Sequence, residues 1–141
     1  MVEQLYKAAD NGVKIKMIVR GICCLIPTQH KNIKIISIID RFLEHTRIFI
    51  FNNNKKNETY ISSADWMTRN LDNRVEVTCP IHDSKIKKEI NDIFNIYWSD
   101  NVKSRLINQK DANVYKSDIK KSNSIRSQLE IYNYDKSKIE N

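Results

Sequence analysis

Glycine and proline are scarce in this sequence, two of each in 141 residues. A phosphate-binding loop made of successive glycines is therefore excluded, and any phosphate must be held by side chains. Cysteine is scarce as well. The three residues, Cys23, Cys24 and Cys79, are odd in number and two are adjacent. That pattern offers neither a disulfide framework nor zinc-ligand spacing, so a reducing cytoplasmic setting is expected, with the three thiols in apolar strand contexts as core residues. No apolar run approaches the roughly 18–20 residues of a membrane-spanning helix. The opening residues Met1 to Leu5 lack the basic-then-apolar order of a signal peptide.

What the chain does have is positive charge. It carries 24 Lys+Arg against 17 Asp+Glu, a net charge of +7. The excess is uneven: residues 1–45 hold 7 basic and 4 acidic groups, residues 46–102 hold 8 of each, and residues 103–141 hold 9 and 5. Such a surplus favours anionic partners, namely nucleotides, polyphosphate, nucleic acid or anionic lipid, although a Lys-rich solvated surface explains it equally. The basic tail with Tyr115, Tyr132 and Tyr134 carries no motif of a nucleic-acid-binding module, so nucleic acid is not expected. The length suits one domain with a true core.

Periodicity supplies the elements. Leu5, Tyr6, Ala8 and Ala9 mark a helix over Glu3–Asn11, ended by Asn11-Gly12. Val13, Ile15, Met17 and Val19 alternate with Lys14 and Lys16 as a strand. Thr28–Asn32 reads as a polar loop. Ile33–Ile39 is a β-branched, buried strand. Asp40–Glu44 is a connector with room for one helical turn. Arg47–Phe51 and Thr59–Ser62 make a hairpin around a longish turn, Asn52–Asn57. Ala64–Asn73 reads as a polar loop, and Val75–Thr78 as a strand stopped by Cys79-Pro80. Ile86, Ile90, Ile93, Phe94 and Tyr97 then share one helical face, capped by Asp83 or Ser84. Residues 100–123 are polar and weakly patterned, and Ile125, Leu129 and Tyr132 support a last helix. The expected class is α/β, one domain with a mixed β-sheet flanked by helices.

Polar residues cluster at the predicted strand ends, where ligands of α/β sheets usually bind. Arg20 follows a strand. His45 and Arg47 fall on one face of another. A guanidinium neutralises oxyanions with a fork of donors, and an imidazole can act as acid, base or nucleophile to phosphorus. From spacing alone, an exposed or capping histidine accounts for His45 as well. Ser62, Ser63 and Asp65 end the next strand and either meet a ligand or organise a turn. Arg69 and Arg74 either grip phosphate or pair with Asp72 and Glu76. His30 and His82 lie in polar loops as structural or exposed residues.

These same stretches carry a resemblance. Val19-Arg20-Gly21-Ile22-Cys23, Asp40-Arg41-Phe42-Leu43-Glu44-His45-Thr46-Arg47-Ile48 and the run from Tyr60 through Ser62-Ser63-Ala64-Asp65-Trp66-Met67 to Val77 resemble the last domain of the long bacterial polyphosphate kinase family. The likeness continues through Ser99–Arg105 and Arg126–Tyr132 and covers essentially the whole chain. It implies a phospholipase D-like fold. The phospholipase D trace falls on His45, Arg47, Asn52 and Ser62–Asp65, with Arg and Asn where that superfamily has Lys and Asp. The exchange does not favour phosphodiester hydrolysis. The Pro27–Asn32 loop is shorter than the family's.

The resemblance implies an enzyme part that transfers the terminal phosphate of ATP reversibly to polyphosphate, with magnesium and a phosphohistidine. His45 matches the family's second active-site histidine, and Arg20 matches an arginine that contacts nucleotide and phosphate. Arg47, Arg69 and Arg74 would join them on phosphate, supported by Ser63, Asp65 and Glu76. The phosphorylated histidine and the magnesium ligands are expected in a preceding domain, absent from residues 1–141, so the chain alone is expected not to turn over. Implied partners are inorganic polyphosphate, ATP or ADP, the remainder of the kinase and a homo-oligomer of the full enzyme. The implied location is cytoplasmic, with peripheral membrane attachment as a further option. A non-catalytic polyphosphate- or nucleotide-binding remnant of a truncated gene is the alternative reading.

Overall fold

A computed structural model describes residues 1–27, 30–108, 114–116 and 124–140. Thr28 and Gln29 of the expected loop, and residues 109–113 and 117–123 of the weakly patterned stretch, lie outside the described residues. In chain order the elements are α1 (Val2–Asp10), β1 (Ile15–Val19), β2 (Ile33–Ile38), β3 (Ile48–Asn53), β4 (Lys56–Ser62), α2 (Thr68–Asn73), β5 (Thr78–Ile81), α3 (Ser84–Ser99), β6 (Ser104–Leu106), β7 (Val114–Tyr115) and α4 (Ser127–Ile139). The α/β class holds, but the expected single sheet is corrected to two. They belong to two compact units, one made of residues 1–44 and 95–141, the other of residues 45–94.

The first unit holds a mixed sheet in the order β1-β2-β6-β7. β1 and β2 are parallel with Ile15 opposite Ile33, while β6 runs antiparallel to β2 with Ile38 opposite Ser104. Every residue of β2 except Lys34 is buried. A central strand covered on both faces needs a continuous β-branched run, which is why its sequence does not alternate. Ala9, Leu25, Ile33 and Ile35 form the core, with Leu5, Tyr6, Met17 and Val19 packed around them. Gly12 ends α1 at φ +86°, a left-handed conformation that a side chain would strain. His30 is structural: it stacks on Tyr6 at 4.7 Å and pairs with Asp10 at 3.0 Å. Cys23 is half-buried and Cys24 and Cys79 are exposed, so the expectation of core cysteines is corrected. β6 escaped the sequence reading because three residues with one large aliphatic carry no period; its partner β2 selects it.

Two buried acids tie this unit together. Asp100 is fully buried. Its Oδ1 accepts the backbone N–H groups of Val102, Lys103 and Ser104 at 2.7–3.0 Å. Its Oδ2 accepts the N–H and the hydroxyl of Ser127, each at 2.7 Å, at the first turn of α4. Asp40 receives a two-pronged contact from Arg126, Nε to Oδ2 and a terminal nitrogen to Oδ1, both at 2.7 Å. The Asp40 side chain is 2% exposed, and the hydrogen bond from Arg126 leads the causes that hold its carboxyl below the usual carboxylate range. Arg126→Ala removes the guanidinium from that carboxylate and leaves it the Arg41 N–H, at 2.8 Å. Thermal melts should show a lower Tm at pH 7, and the deficit should shrink toward pH 3, where the carboxyl can protonate; a constant deficit would assign the loss to packing alone.

The second unit is an antiparallel sheet in the order β3-β4-β5. The expected longish turn is a two-residue connection, Asn54-Lys55, with φ of 48° and 68°. Two successive positive φ values suit the right-handed twist of a hairpin, and Asn tolerates them well. β5 starts at Thr78 rather than Val75, which is wholly exposed. Pro80 sits opposite Tyr60 in this edge strand, where its missing N–H costs no ladder bond. The expected loop over Ala64–Asn73 closes with α2, whose Asn70 is buried. α3 begins as expected: Asp83 Oδ1 accepts the N–H groups of Lys85 and Ile86 at 2.7 and 3.0 Å.

Candidate functional site

The second unit gathers most of the residues singled out in the sequence. Ser62 N–H donates to the Arg47 carbonyl at 3.0 Å, so β3–β4 pairing extends back to Arg47. Arg47 Nε donates to Asp65 Oδ1 at 2.9 Å. This pair is only 15% and 24% exposed. Trp66 stacks on Phe49 at 5.0 Å, which holds the loop carrying Asp65 against β3. With Nε fixed, the terminal nitrogens of Arg47 reach His45. One lies 3.1 Å from Nδ1 and 3.4 Å from Nε2; the other lies 3.4 Å from Nε2. An in-plane hydrogen bond can meet only one imidazole nitrogen. Contact with both places the guanidinium over the ring face and leaves ring edges open to an incoming group. The first terminal nitrogen also donates to the His45 carbonyl at 3.1 Å. His45 itself is exposed.

Ser62 and Ser63 organise a turn. Ser62 Oγ accepts the Ala64 N–H at 3.1 Å and bonds the Thr78 hydroxyl at 2.8 Å. Ser63 Oγ accepts the Val77 N–H at 3.0 Å and donates to a Glu76 carboxylate oxygen. The other Glu76 oxygen accepts Asn70 Nδ2 at 2.8 Å. These bonds from Ser63 and Asn70, followed by the nearby charges of Arg74 and Arg47, hold the Glu76 carboxyl below its ordinary range. Glu76 is therefore the anionic counterpart of two site arginines. The sequence reading left Asn70 within a polar loop; its burial on one turn of α2 is what gives it a role.

The remaining residues are placed differently. Arg74 is exposed just after α2, and because β5 begins only at Thr78, neither it nor Glu76 borders that strand. Arg69 lies exposed on α2, not at a strand end, and makes no hydrogen bond or ion pair with the cluster among the described residues. Asn52 sits at the hairpin end of β3, where its Oδ1 accepts the Lys55 N–H at 3.1 Å. Five residue steps along the strand separate it from Arg47, about 17 Å, so it is a turn residue and not a partner of the histidine. His82 is exposed.

Arg20 belongs to the first unit. It follows β1 at the carboxyl end of the parallel β1–β2 pair, and one terminal nitrogen donates to the Glu44 carbonyl at 3.0 Å. The Glu44 carboxylate in turn accepts Gln128 Nε2 and the Tyr97 hydroxyl, each at 2.6 Å. Sequence reading missed Glu44, Tyr97 and Gln128, since no local pattern links them.

Chemically, the second unit offers an imidazole backed by an immobilised guanidinium, suited to an oxyanion and a proton at one place. Among the described residues no group of three or more His, Cys, Asp or Glu could hold a metal ion. No helix of the described chain is long and apolar enough to cross a membrane.

Comparison with known proteins identifies the family of this chain. A family model described as polyphosphate kinase C-terminal domain 2 matches residues 1–128. The polyphosphate kinase of Vibrio parahaemolyticus is 49% identical over 139 residues, which is 95% of this chain and 20% of the relative. That of Escherichia coli K12 is 45% identical over 142 residues, 97% of this chain and 20% of the relative. The crystal structure of polyphosphate kinase from Porphyromonas gingivalis superposes with a TM-score of 0.94 at 46% identity, covering 99% of this chain and 22% of that one. The chain thus spans about one fifth of the length of the relatives it matches. A match running from the first residue through the start of α4 shows that this chain belongs to the polyphosphate kinase C-terminal domain family.

Proposed function

We propose that this chain is the C-terminal catalytic domain of a polyphosphate kinase and takes part in the reversible transfer of the terminal phosphate of ATP to inorganic polyphosphate. The observation that carries the reading is Arg47, anchored through Nε to Asp65 and laid against the His45 ring. His45 holds or returns a proton at an oxygen of the transferring group. Arg47 neutralises charge there without reorganising, because Asp65 has already fixed it. Such preorganised charge is the main demand of phosphoryl transfer. Arg20, Arg69 and Arg74 are phosphate-binding residues in this reading, and Ser63 and Glu76 keep the Arg74 side of the cluster in shape.

The phosphorylated histidine belongs, in this reading, to the rest of the kinase, the chain's first partner, within a homo-oligomer. Magnesium is supplied there too. The donor set of the described residues does not fit a metal: Asp40, Asp65, Glu76 and Asp100 are already engaged by Arg, Ser and backbone N–H groups, and among the described residues no group of three or more His, Cys, Asp or Glu could hold one.

Two measurements test the reading. The chain should bind inorganic polyphosphate, and log affinity should fall linearly with log salt, as expected when bound cations are released from a polyanion. Affinity indifferent to salt would contradict arginine-based binding. Added to the Escherichia coli enzyme lacking its matching C-terminal segment, the chain should restore polyphosphate synthesis from ATP, while neither part works alone. Binding without restoration would favour the non-catalytic remnant, since the chain spans only about a fifth of its relatives.

A further inference from the structure

The segment Asp40–Glu44 is irregular, yet Asp40, Phe42 and Glu44 are each held by residues near the start of α4. Arg126 forks onto Asp40. The Gln128 side-chain amide pairs with the backbone of Phe42 in both directions: its oxygen accepts the Phe42 N–H at 3.1 Å and its Nε2 donates to the Phe42 carbonyl at 2.9 Å. The same Nε2 donates to Glu44 Oε1 at 2.6 Å, and the Tyr97 hydroxyl donates to Oε2 at 2.6 Å. Glu44 is thus fixed at both carboxylate oxygens, and its carbonyl is what Arg20 grips at 3.0 Å. Ser127, between Arg126 and Gln128, is itself locked to the buried Asp100. All of these groups lie in the first unit.

We infer that Gln128 and Tyr97 are positioning residues for Arg20, acting through Glu44. The inference rests on the phosphate-binding role proposed for Arg20. A long arginine loses rotamer freedom when it binds an anion. One terminal nitrogen tied to a carbonyl that cannot itself move carries part of that loss in advance, and this raises affinity without adding a contact. The clasp also keeps the Glu44 carboxylate turned onto two donors instead of toward the guanidinium, where it would compete with phosphate. Nothing in Gln128 or Tyr97 needs to touch the ligand.

The test is polyphosphate binding by the whole chain at one fixed salt concentration, with Tm measured for every variant. Gln128→Ala and Tyr97→Phe should each weaken binding about three- to tenfold, the effect of one or two lost hydrogen bonds. In an Arg20→Ala background the same changes should have no further effect, because they act through Arg20. Arg126→Ala, which loosens the same segment without touching Glu44, should lower Tm and leave affinity in place. Additive losses in the double variants, or equal losses from Arg126→Ala and Gln128→Ala, would overturn the inference and leave the functional reading standing. Unchanged affinity in Arg20→Ala would instead remove the role proposed for Arg20, and this inference with it. If Gln128→Ala does not fold, Tyr97→Phe deletes only a single hydroxyl and separates the same two outcomes.

Discussion

Alanine at Asp100 is expected to destabilise the first unit by about 3–4 kcal/mol, on the order of 10–30 °C in Tm. Five donors converge on this carboxylate, four of them backbone N–H groups. Its removal leaves them facing a dry space, because the residue and both its serine partners, Ser104 and Ser127, are fully buried. Trp98 stands two residues away in the same unit, and Trp66 lies in the other. Fluorescence of a Trp66→Phe background therefore follows the unit concerned. Asn at this position should recover little, since one of its two polar atoms is a donor and must meet Ser127, which also donates.

The same residue sets an acid limit. Burial pushes the Asp100 carboxyl up, but the bonds from Ser127, Lys103 and Ser104 outweigh it and hold the group below its ordinary value. A carboxyl with a lower pKa folded than unfolded contributes its full stability above about pH 4 and loses it as pH falls through the folded value. Asp40, also depressed, adds to the same limb. Melts between pH 7 and pH 2 should show a steep loss at the acid end, shallower in Asp100→Ala. Parallel curves for the two proteins would deny the carboxylate that role.

The second large effect concerns chemistry. In the restored two-part kinase, His45→Ala is expected to slow polyphosphate synthesis by about 10²–10⁴-fold, the range of a lost general acid or base. Polyphosphate binding by the chain should stay within about twofold, because the guanidinium groups carry the charge. Arg47→Ala should instead weaken polyphosphate binding, since it deletes a guanidinium that neutralises the anion. Synthesis that survives His45→Ala would relocate the proton transfer to another group.

Much of this was legible in the residues. The run Ile33–Ile38, the alternation before Arg20, the apolar face from Ile86 to Tyr97 and the Asp83 cap all form as their patterns dictate, because burial of a periodic face is a local rule. The pairing of His45 with Arg47 was legible from their two-residue spacing, although His45 is exposed and lies before β3. The misses have a common character. Asn54-Lys55 forms a tight turn because the strands on either side pair in register, which no turn dipeptide announced. Pro80 enters a strand because that strand is an edge. Cys24 is exposed while its neighbour Leu25 takes the buried position, and Cys79 is exposed along with Thr78 and Pro80 in the edge strand β5.

The sequence by itself determined the charge, the helix and strand periods and the chemical type of the site, a histidine with arginines around it. The tertiary structure alone decided which of those arginines is held, and by what. Arg47 is fixed by an acid 18 residues away, and Asp40 meets Arg126 across 86 residues. A hydrogen bond depends on distance in space and not along the chain. Glu44, Asp100 and Gln128 therefore read as ordinary polar residues until the fold brings their partners within 3 Å.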